Sequence, residues 1–457
     1  LDWRSRDVRL SGDIGWQDHQ LKRTRTNVTL GTNVTSVPTV PDNQSNYAQP
    51  WSYSNERDTF GTFRGEWDIT PDVTAWAAAG ARRSEEANSL ANITVNNGST
   101  GAATAYRFDN TREDSVNTGE LGVRGKLQTG SVGHEWVASA SLFDFEKKNA
   151  YAMDSRNTLA TNLYGPVSTN LPAFSGTTLY GGDLANPLRT GTTRLTSFAV
   201  GDTLSLLDKR LLLTAGLRHQ KINIANYLYA NGSLTDRYEQ SRTSPLLAAV
   251  FKLDKSVSLY ANYVEGLSQG QTAPSTAANR GEMLKPYVAK QKEVGVKYDA
   301  GRVGGSLAFF STDKPRAFLN SSNLFGTYGK DRHQGLELAV QGEATQGLRL
   351  LGGLTWLDAK QQATGSATTD GKRVIGVPEV QANIGAEWDV PGVRGLAVDG
   401  RLVHTGSSYA NATNTLKVGG WNRLDLGVRY LTEVQGKLVT LRLRIDNVAD
   451  KNYWASV

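Results

Sequence analysis

The sequence predicts an all-β fold, a transmembrane antiparallel β-barrel of the outer-membrane type. Three observations carry that expectation: strict two-residue alternation of apolar and polar side chains, short links that alternate with long polar ones, and candidate strands longer than those of globular sheets.

The alternation is clearest in LVTLRLRIDN, residues 438–447, where Val439, Leu441, Leu443 and Ile445 interleave with Thr440, Arg442, Arg444 and Asp446. A helix would smear these apolar groups around its circumference, whereas a strand sends them all to one face. Leu211, Leu213, Ala215 and Leu217 repeat the pattern against Thr214, Gly216, Arg218 and Gln220. So do Val294, Val296 and Tyr298, then Leu336, Leu338 and Val340, then Leu424, Leu426, Val428 and Tyr430. One such strand suits any sheet with a wet face. A dozen, with charges on the second face, need an apolar solvent on the first.

Link lengths supply the topology. Short links fall at 68–72, 128–134, 206–210, 252–256, 299–302, 344–347, 390–395 and 432–436. Between them lie longer polar links at 27–55, 88–105, 149–193, 265–288, 358–376 and 407–420, with shorter polar ones at 229–237 and 319–328. Turns at one end and long loops at the other distinguish an outer-membrane barrel from a soluble sandwich. Strand candidates such as 210–228, 237–251 and 328–343 suit tilted crossings that continue above the membrane. The pattern divides into about 17 strands plus a stub at Leu1–Arg4, and reads as one barrel domain, residues 1–457, incomplete at both ends.

Parity fixes sidedness. Leu441 and Leu443 take the lipid side, and Arg442 and Arg444 the lumen. The reverse register would place two arginines in hydrocarbon, at roughly 2–4 kcal/mol each near the midplane.

Composition closes off other classes. Cys is absent from the 457 residues, which excludes disulfide scaffolds, thiolate metal sites and cysteine nucleophiles. Mean hydropathy is −0.42, and no apolar run approaches the length of a transmembrane helix. The net charge of +6 is dispersed, so nucleic acid is not an expected partner. Leu1 opens inside a strand-like segment with no leader pattern, which reads as part of a longer precursor.

Several stretches are more specific. Pro286–Tyr298 (PYVAKQKEVGVKY), Gly376–Pro378 (GVP) and Asn447–Tyr453 (NVADKNY), with the surrounding segments 262–299, 331–359, 373–389, 404–430 and 444–457, resemble TonB-dependent siderophore receptors, most of all the ferrichrome-receptor group. The resemblance covers about the last 270 residues well, and the first 190 only by architecture. It implies a barrel of roughly 22 strands in the bacterial outer membrane, a monomer that binds a ferric siderophore outside the cell. Import would draw energy from the TonB–ExbB–ExbD complex through an N-terminal plug, to which nothing in this chain corresponds. Outer-membrane lipid and lipopolysaccharide would surround the barrel. No cofactor is implied, because iron arrives inside its chelate. The five histidines (19, 134, 219, 333, 404) lie far apart, and no metal ligand is assigned.

Aromatic and basic groups at the outer vestibule are the candidate ligand contacts. Parity puts Tyr287, Tyr409 and Trp421 on the lumen face near the outer strand ends, and Trp51, Tyr53, Tyr106, Tyr151, Tyr180, Arg280 and Arg332 are loop candidates. Each competes with a structural role. Tyr298, Trp388 and Tyr430, on lipid-facing parity, read as interface girdle, and Arg218, Arg423 and Arg442 as partners of lumen carboxylates or of the plug. The Asn-x-Ser/Thr matches in Asn- and Thr-rich links carry no weight, and no phosphate loop or catalytic set is present, so no catalytic residue is assigned. The alternatives are a TonB-dependent receptor for cobalamin or an oligosaccharide, and a passive porin. An outer-membrane enzyme fits least.

Overall fold

A barrel strand satisfies its backbone through its neighbours and needs one apolar face, and that is how this chain folds. The computed structural model describes residues 1–456, and every regular element in them is a strand. The strands are β1 (Asp2–Arg4), β2 (Val8–Lys22), β3 (Val28–Leu30), β4 (Tyr53–Thr70), β5 (Val73–Val95), β6 (Ala102–Thr129), β7 (Val132–Met153), β8 (Leu159–Asn162), β9 (Leu179–Gly181), β10 (Arg189–Leu206), β11 (Leu211–Tyr227) and β12 (Leu234–Lys252). They continue as β13 (Val257–Ser268), β14 (Tyr287–Asp299), β15 (Val303–Leu319), β16 (Phe325–Thr345), β17 (Leu348–Gln362), β18 (Val380–Asp389), β19 (Leu396–Thr405), β20 (Ser408–Tyr409), β21 (Lys417–Val418), β22 (Trp421–Val434) and β23 (Lys437–Ile445). Seventeen of them are nine residues or longer, and β1 is the expected stub.

Two packed units divide the chain: Leu1–Thr39 with Gln44–Leu204 and Thr214–Leu246, and Val40–Asn43 with Ser205–Leu213 and Leu247–Val457. In the first, β2, β4, β5, β6 and β7 pair antiparallel in chain order. In the second, β13 to β19 do the same, and then β19 pairs with β22 and β22 with β23.

All eight short links expected from the sequence are turns between long strands. Gln435 and Gly436, with φ of 52° and 74°, make the two-residue turn between β22 and β23. Positive φ at both positions matches the strand twist, and glycine takes it without strain.

The link expected at 88–105 is strand instead. β5 and β6 stay in register from Ser89↔Asp109 to Val95↔Ala103, leaving only 96–101 outside them. Small side chains alternate there, and both strand edges find further partners. β3 pairs parallel with β5, and β8 antiparallel with β6. Ile93, Val95, Ala103 and Ala105 are consequently buried, with Ala150, Ala152 and Leu163. The tightest apolar packing of the first unit thus sits in these strand extensions, where water would otherwise reach both faces.

Lower down, one face of each strand is apolar and uncovered. Phe63, Trp67 and Leu121 expose half or more of their surface in the first unit, as do Ile384, Leu441, Leu443 and Ile445 in the second. Tyr298, Trp388 and Tyr430 share that outer face near the turn ends, the girdle position expected of them. The opposite, inner face carries ion-paired ladders. Arg9 meets Asp68 at 2.6 Å, and Glu66 takes Arg64 at 2.7 Å and Arg124 at 3.0 Å. Arg349 contacts Glu387 and Asp389, and Arg429 reaches Glu387 at 3.1 Å. Arg423 and Arg444 converge on the fully buried Asp425 at 2.9 and 3.2 Å. Arg218 donates instead to a hydroxyl, Ser197 Oγ, at 2.9 Å.

Candidate ligand-binding site

The inner face of β6 and β7 ends in an aromatic cluster. Phe108 stacks on Tyr151 at 6.2 Å between ring centroids, and Tyr229 meets Tyr151 edge-on at 5.2 Å. Tyr106 stands two residues from Phe108 and therefore on the same face. Amides frame the rings: Asn110 Nδ2 donates to Asn149 Oδ1 at 2.8 Å and to the Ala150 carbonyl at 3.0 Å. Gly181 of β9 lies against the Tyr151 ring, where a Cβ would come within 2.2 Å of ring carbon. Such a surface offers flat apolar area with hydrogen-bonding edges, which suits a bulky polar chelate.

Tyr180, one residue from Gly181, registers with Ala152 and so belongs to the other face. There it packs edge-on against Phe174, which sits 3.9 Å beneath the Arg107 guanidinium, and Arg107 is held by Asp109 at 2.5 Å. Tyr53 also takes the outer face, that of Phe63 and Trp67. Trp51 lies in the 31–52 segment, its Nε1 3.5 Å from Thr169 Oγ1. Beside it Gln49 stitches this segment to 154–178, donating to the Val167 carbonyl at 2.8 Å and accepting from Thr169 N–H at 2.9 Å. The hub of segment 154–178 is Asp154, fully buried, which accepts from Ser175 N–H at 3.0 Å and Ser175 Oγ at 2.6 Å. Those donors hold its carboxyl below the usual carboxylate range.

In the second unit Tyr287 lies on the inner face of β14, its hydroxyl 3.4 Å from Gln271 Oε1. The same face continues through Gln291, which accepts from Thr312 Oγ1 at 3.1 Å, to His333, whose buried Nε2 has no partner among the described residues. Above them Arg316 Nη1 donates to Gln361 Oε1 at 2.7 Å and Asp331 Oδ1 at 3.2 Å. Gln361 in turn donates to the carbonyls of Arg373 at 3.0 Å and Ala412 at 2.9 Å, joining the segment after β17 to that after β20.

Trp421 is on the inner face as expected, stacked on Tyr453. Tyr409 belongs to the small β20–β21 hairpin rather than to a long strand, and its carbonyl accepts from Gly376 N–H. Arg280 is exposed in the segment after β13. Arg332 is not a loop residue. It lies in β16 on the outer face, bound to Asp313 at 2.7 Å. Tyr53, Tyr106, Tyr151 and Tyr180, likewise expected in loops, are strand residues. The structure thus brings Tyr151 together with Phe108 and Tyr229, two residues that the sequence did not single out, while Tyr106 shares their face of β6. Phe108 could have been found from its spacing to Tyr106, whereas nothing local marked Tyr229.

The family model described as "TonB dependent receptor-like, beta-barrel" matches residues 2–448. This chain belongs to that family. TonB-dependent receptors of known character resemble it throughout. The ferrichrome receptor FcuA of Yersinia enterocolitica is 34% identical over 463 residues, covering 100% of this chain and 60% of that protein. The catecholate siderophore receptor Fiu of Escherichia coli K12 is 24% identical, over 91% of this chain and 59% of its own. Among solved structures, BauA, the ferric preacinetobactin receptor of Acinetobacter baumannii, superposes with a TM-score of 0.90 at 31% identity, over 99% of this chain and 67% of that one. The chain therefore spans about three fifths of these two curated relatives. Its fold is the outer-membrane barrel, and its apolar outer face is the lipid face.

Proposed function

We propose that the protein of which this chain forms the barrel captures a ferric siderophore at its outer vestibule and imports it with energy from the TonB system. The observation that carries this reading is likeness above 30% identity, across essentially the whole chain, to a ferrichrome receptor and a ferric preacinetobactin receptor. The inner-face cluster of Phe108, Tyr151 and Tyr229 supports it with a surface chemically suited to a chelate. Iron enters as cargo already coordinated by its siderophore, the protein acts as a monomeric transporter with no cofactor or enzymatic step of its own, and lipopolysaccharide borders its outer leaflet. Tyr106, Tyr151, Tyr287 and Arg280 are the foremost ligand contacts among the residues singled out above.

The test is a tryptophan-fluorescence titration of the full-length detergent-solubilised receptor. The panel holds ferric hydroxamates, ferric catecholates, cobalamin and a maltodextrin. Saturable quenching by one ferric chelate, but not by its iron-free form, is the expected result. A response to cobalamin or maltodextrin alone would overturn it.

A further inference from the structure

The inner face of β4 and β5 carries two carboxylates that the fold sets against each other. Glu56 and Glu86 are directly opposite in the register, in a row that reads His19, Glu56, Glu86, Arg112 and Asn149. Like charges so placed destabilise a sheet unless a cation relieves them. The neighbouring guanidinium groups are committed elsewhere. Arg112 donates from Nε and Nη2 to Asp114, at 3.0 and 2.6 Å. Arg82 holds Asp58 at 2.9 Å and reaches Glu56 only at 3.6 Å. Glu86 has no ion-pair partner among the described residues, and Lys147 stands two strands away on β7.

A second observation lies beside the pair. Asn88, two residues along β5 on the same face, is 8% exposed and gives its Nδ2 to Glu86 Oε1. The amide thus rests against that carboxylate, and its Oδ1 joins the two glutamates on one stretch of inner wall. That oxygen is buried and accepts from no donor among the described residues. A buried carbonyl without a donor is costly, and in a native fold it calls for a group that completes it. Asn88 also shares a row with Asn110 and Tyr151, which puts it about 10 Å, two strands, from the aromatic cluster.

We infer that Glu56, Glu86 and Asn88 Oδ1 form a subsite for a primary ammonium carried by the imported chelate, whose iron-bearing body rests on Phe108, Tyr151 and Tyr229. An ammonium has three donors and no acceptor, and here it meets three acceptor groups with no free donor among them. Its charge relieves the Glu56–Glu86 repulsion and makes the hydrogen bonds strong ones. The substrate class follows from charge. Hydroxamates neutralise ferric iron, so a trihydroxamate that ends in an amine is a cation, whereas a ferric tricatecholate is a trianion that these carboxylates repel. This inference rests on the siderophore reading and narrows it.

The test is calorimetric titration of the full-length receptor in detergent. Its probes are the ferric complex of a linear trihydroxamate ending in a primary amine, the same complex acetylated on that amine, and a ferric tricatecholate. The parent is expected to bind the amine-bearing complex about tenfold or more tighter than the acetylated one, the worth of one hydrogen bond between charged groups. In Glu56→Gln/Glu86→Gln that preference disappears, and in Glu86→Gln alone it shrinks, while affinity for the acetylated complex stays as in the parent. Both variants should unfold no more readily than the parent, because they remove a contact between like charges. Glu85→Gln, one residue away on the opposite face, keeps the full preference. Equal affinity of the parent for the free and acetylated complexes, tighter binding of the tricatecholate, or a preference that survives the double variant would each overturn the assignment and leave the siderophore reading standing. Binding of none of the three, with cobalamin or a maltodextrin bound instead, would overturn both.

Discussion

Trp421 and Tyr453 stack with ring centroids 4.1 Å apart and planes 21° from parallel. The pairing gives Trp421 a structural task, because it pins the segment after β23 to the inner face of β22. Arg423 lies alongside, 3.5 Å from the Tyr453 hydroxyl and 2.9 Å from the buried Asp425, which also accepts Asn447 N–H at 2.9 Å. A double-mutant cycle with Trp421→Ala and Tyr453→Ala should therefore show a coupling of about 0.5–1.5 kcal/mol in chemical unfolding. Siderophore affinity should hold in Trp421→Phe, which keeps the stack. A variant that loses affinity at unchanged stability would return Trp421 to the ligand site.

Gln361 makes a sharper case, since its side chain is almost wholly buried and every polar atom is used. Gln361→Ala removes the side-chain donor to the Ala412 carbonyl, at about 1–3 kcal/mol for a buried group left unpaired, and leaves the Arg373 carbonyl to Asn414 Nδ2 alone, at 3.0 Å. Amide hydrogen exchange should then accelerate in 363–379 and 410–416 together, and little elsewhere. Gln361→Glu should not rescue, because a carboxylate satisfies Arg316 but cannot donate to two carbonyls. Loosening of only one of the two segments would break the argument.

Asp154 predicts a pH dependence. Its carboxyl is held below the ordinary range by Ser175 and Asn157, so the folded segment favours the charged form. The sign follows from linkage: this stabilisation is fully present above the unfolded value, and is lost as pH falls through the lower folded one. Limited proteolysis of 154–178 should therefore quicken below the ordinary carboxylate range. Asp154→Asn should be cleaved readily at neutral pH, and its rate should no longer depend on acidification.

How much of this was legible beforehand divides by the range of the interaction. The turns and the lipid-facing residues could be read, because period two and polar punctuation are local signals that a strand obeys over its own length. The segment 88–105 could not, because its Asn, Ser and Thr residues look like loop until β3 and β8 supply partners from elsewhere in the chain. Arg332 went wrong for a related reason: polar residues at a strand's outer end are indistinguishable in sequence from the loop they approach. Gln361 carried no signal at all, its three partners lying 12, 45 and 51 residues away.

Trp76 and Gly122 face each other across β5 and β6, and the inner wall depends on the missing side chain. The indole is buried, donates from Nε1 to Glu120 Oε1 at 2.5 Å, and lies 5.8 Å from both the Arg64 and Arg124 guanidinium groups. Those two arginines also hold Glu66, alongside Arg9 at 3.3 Å. A Cβ on Gly122 would stand 2.3 Å from the ring, which a fixed bicyclic system cannot flex to avoid. Gly122→Ala should thus cost about 1–3 kcal/mol, as overpacking does. Pairing it with Trp76→Leu should recover part of that loss, since a smaller, rotatable side chain makes room while sacrificing the indole hydrogen bond and the cation contacts. Equal unfolding midpoints for Gly122→Ala and the parent would mean that the strands separate easily here and that the wall is softer than this packing implies.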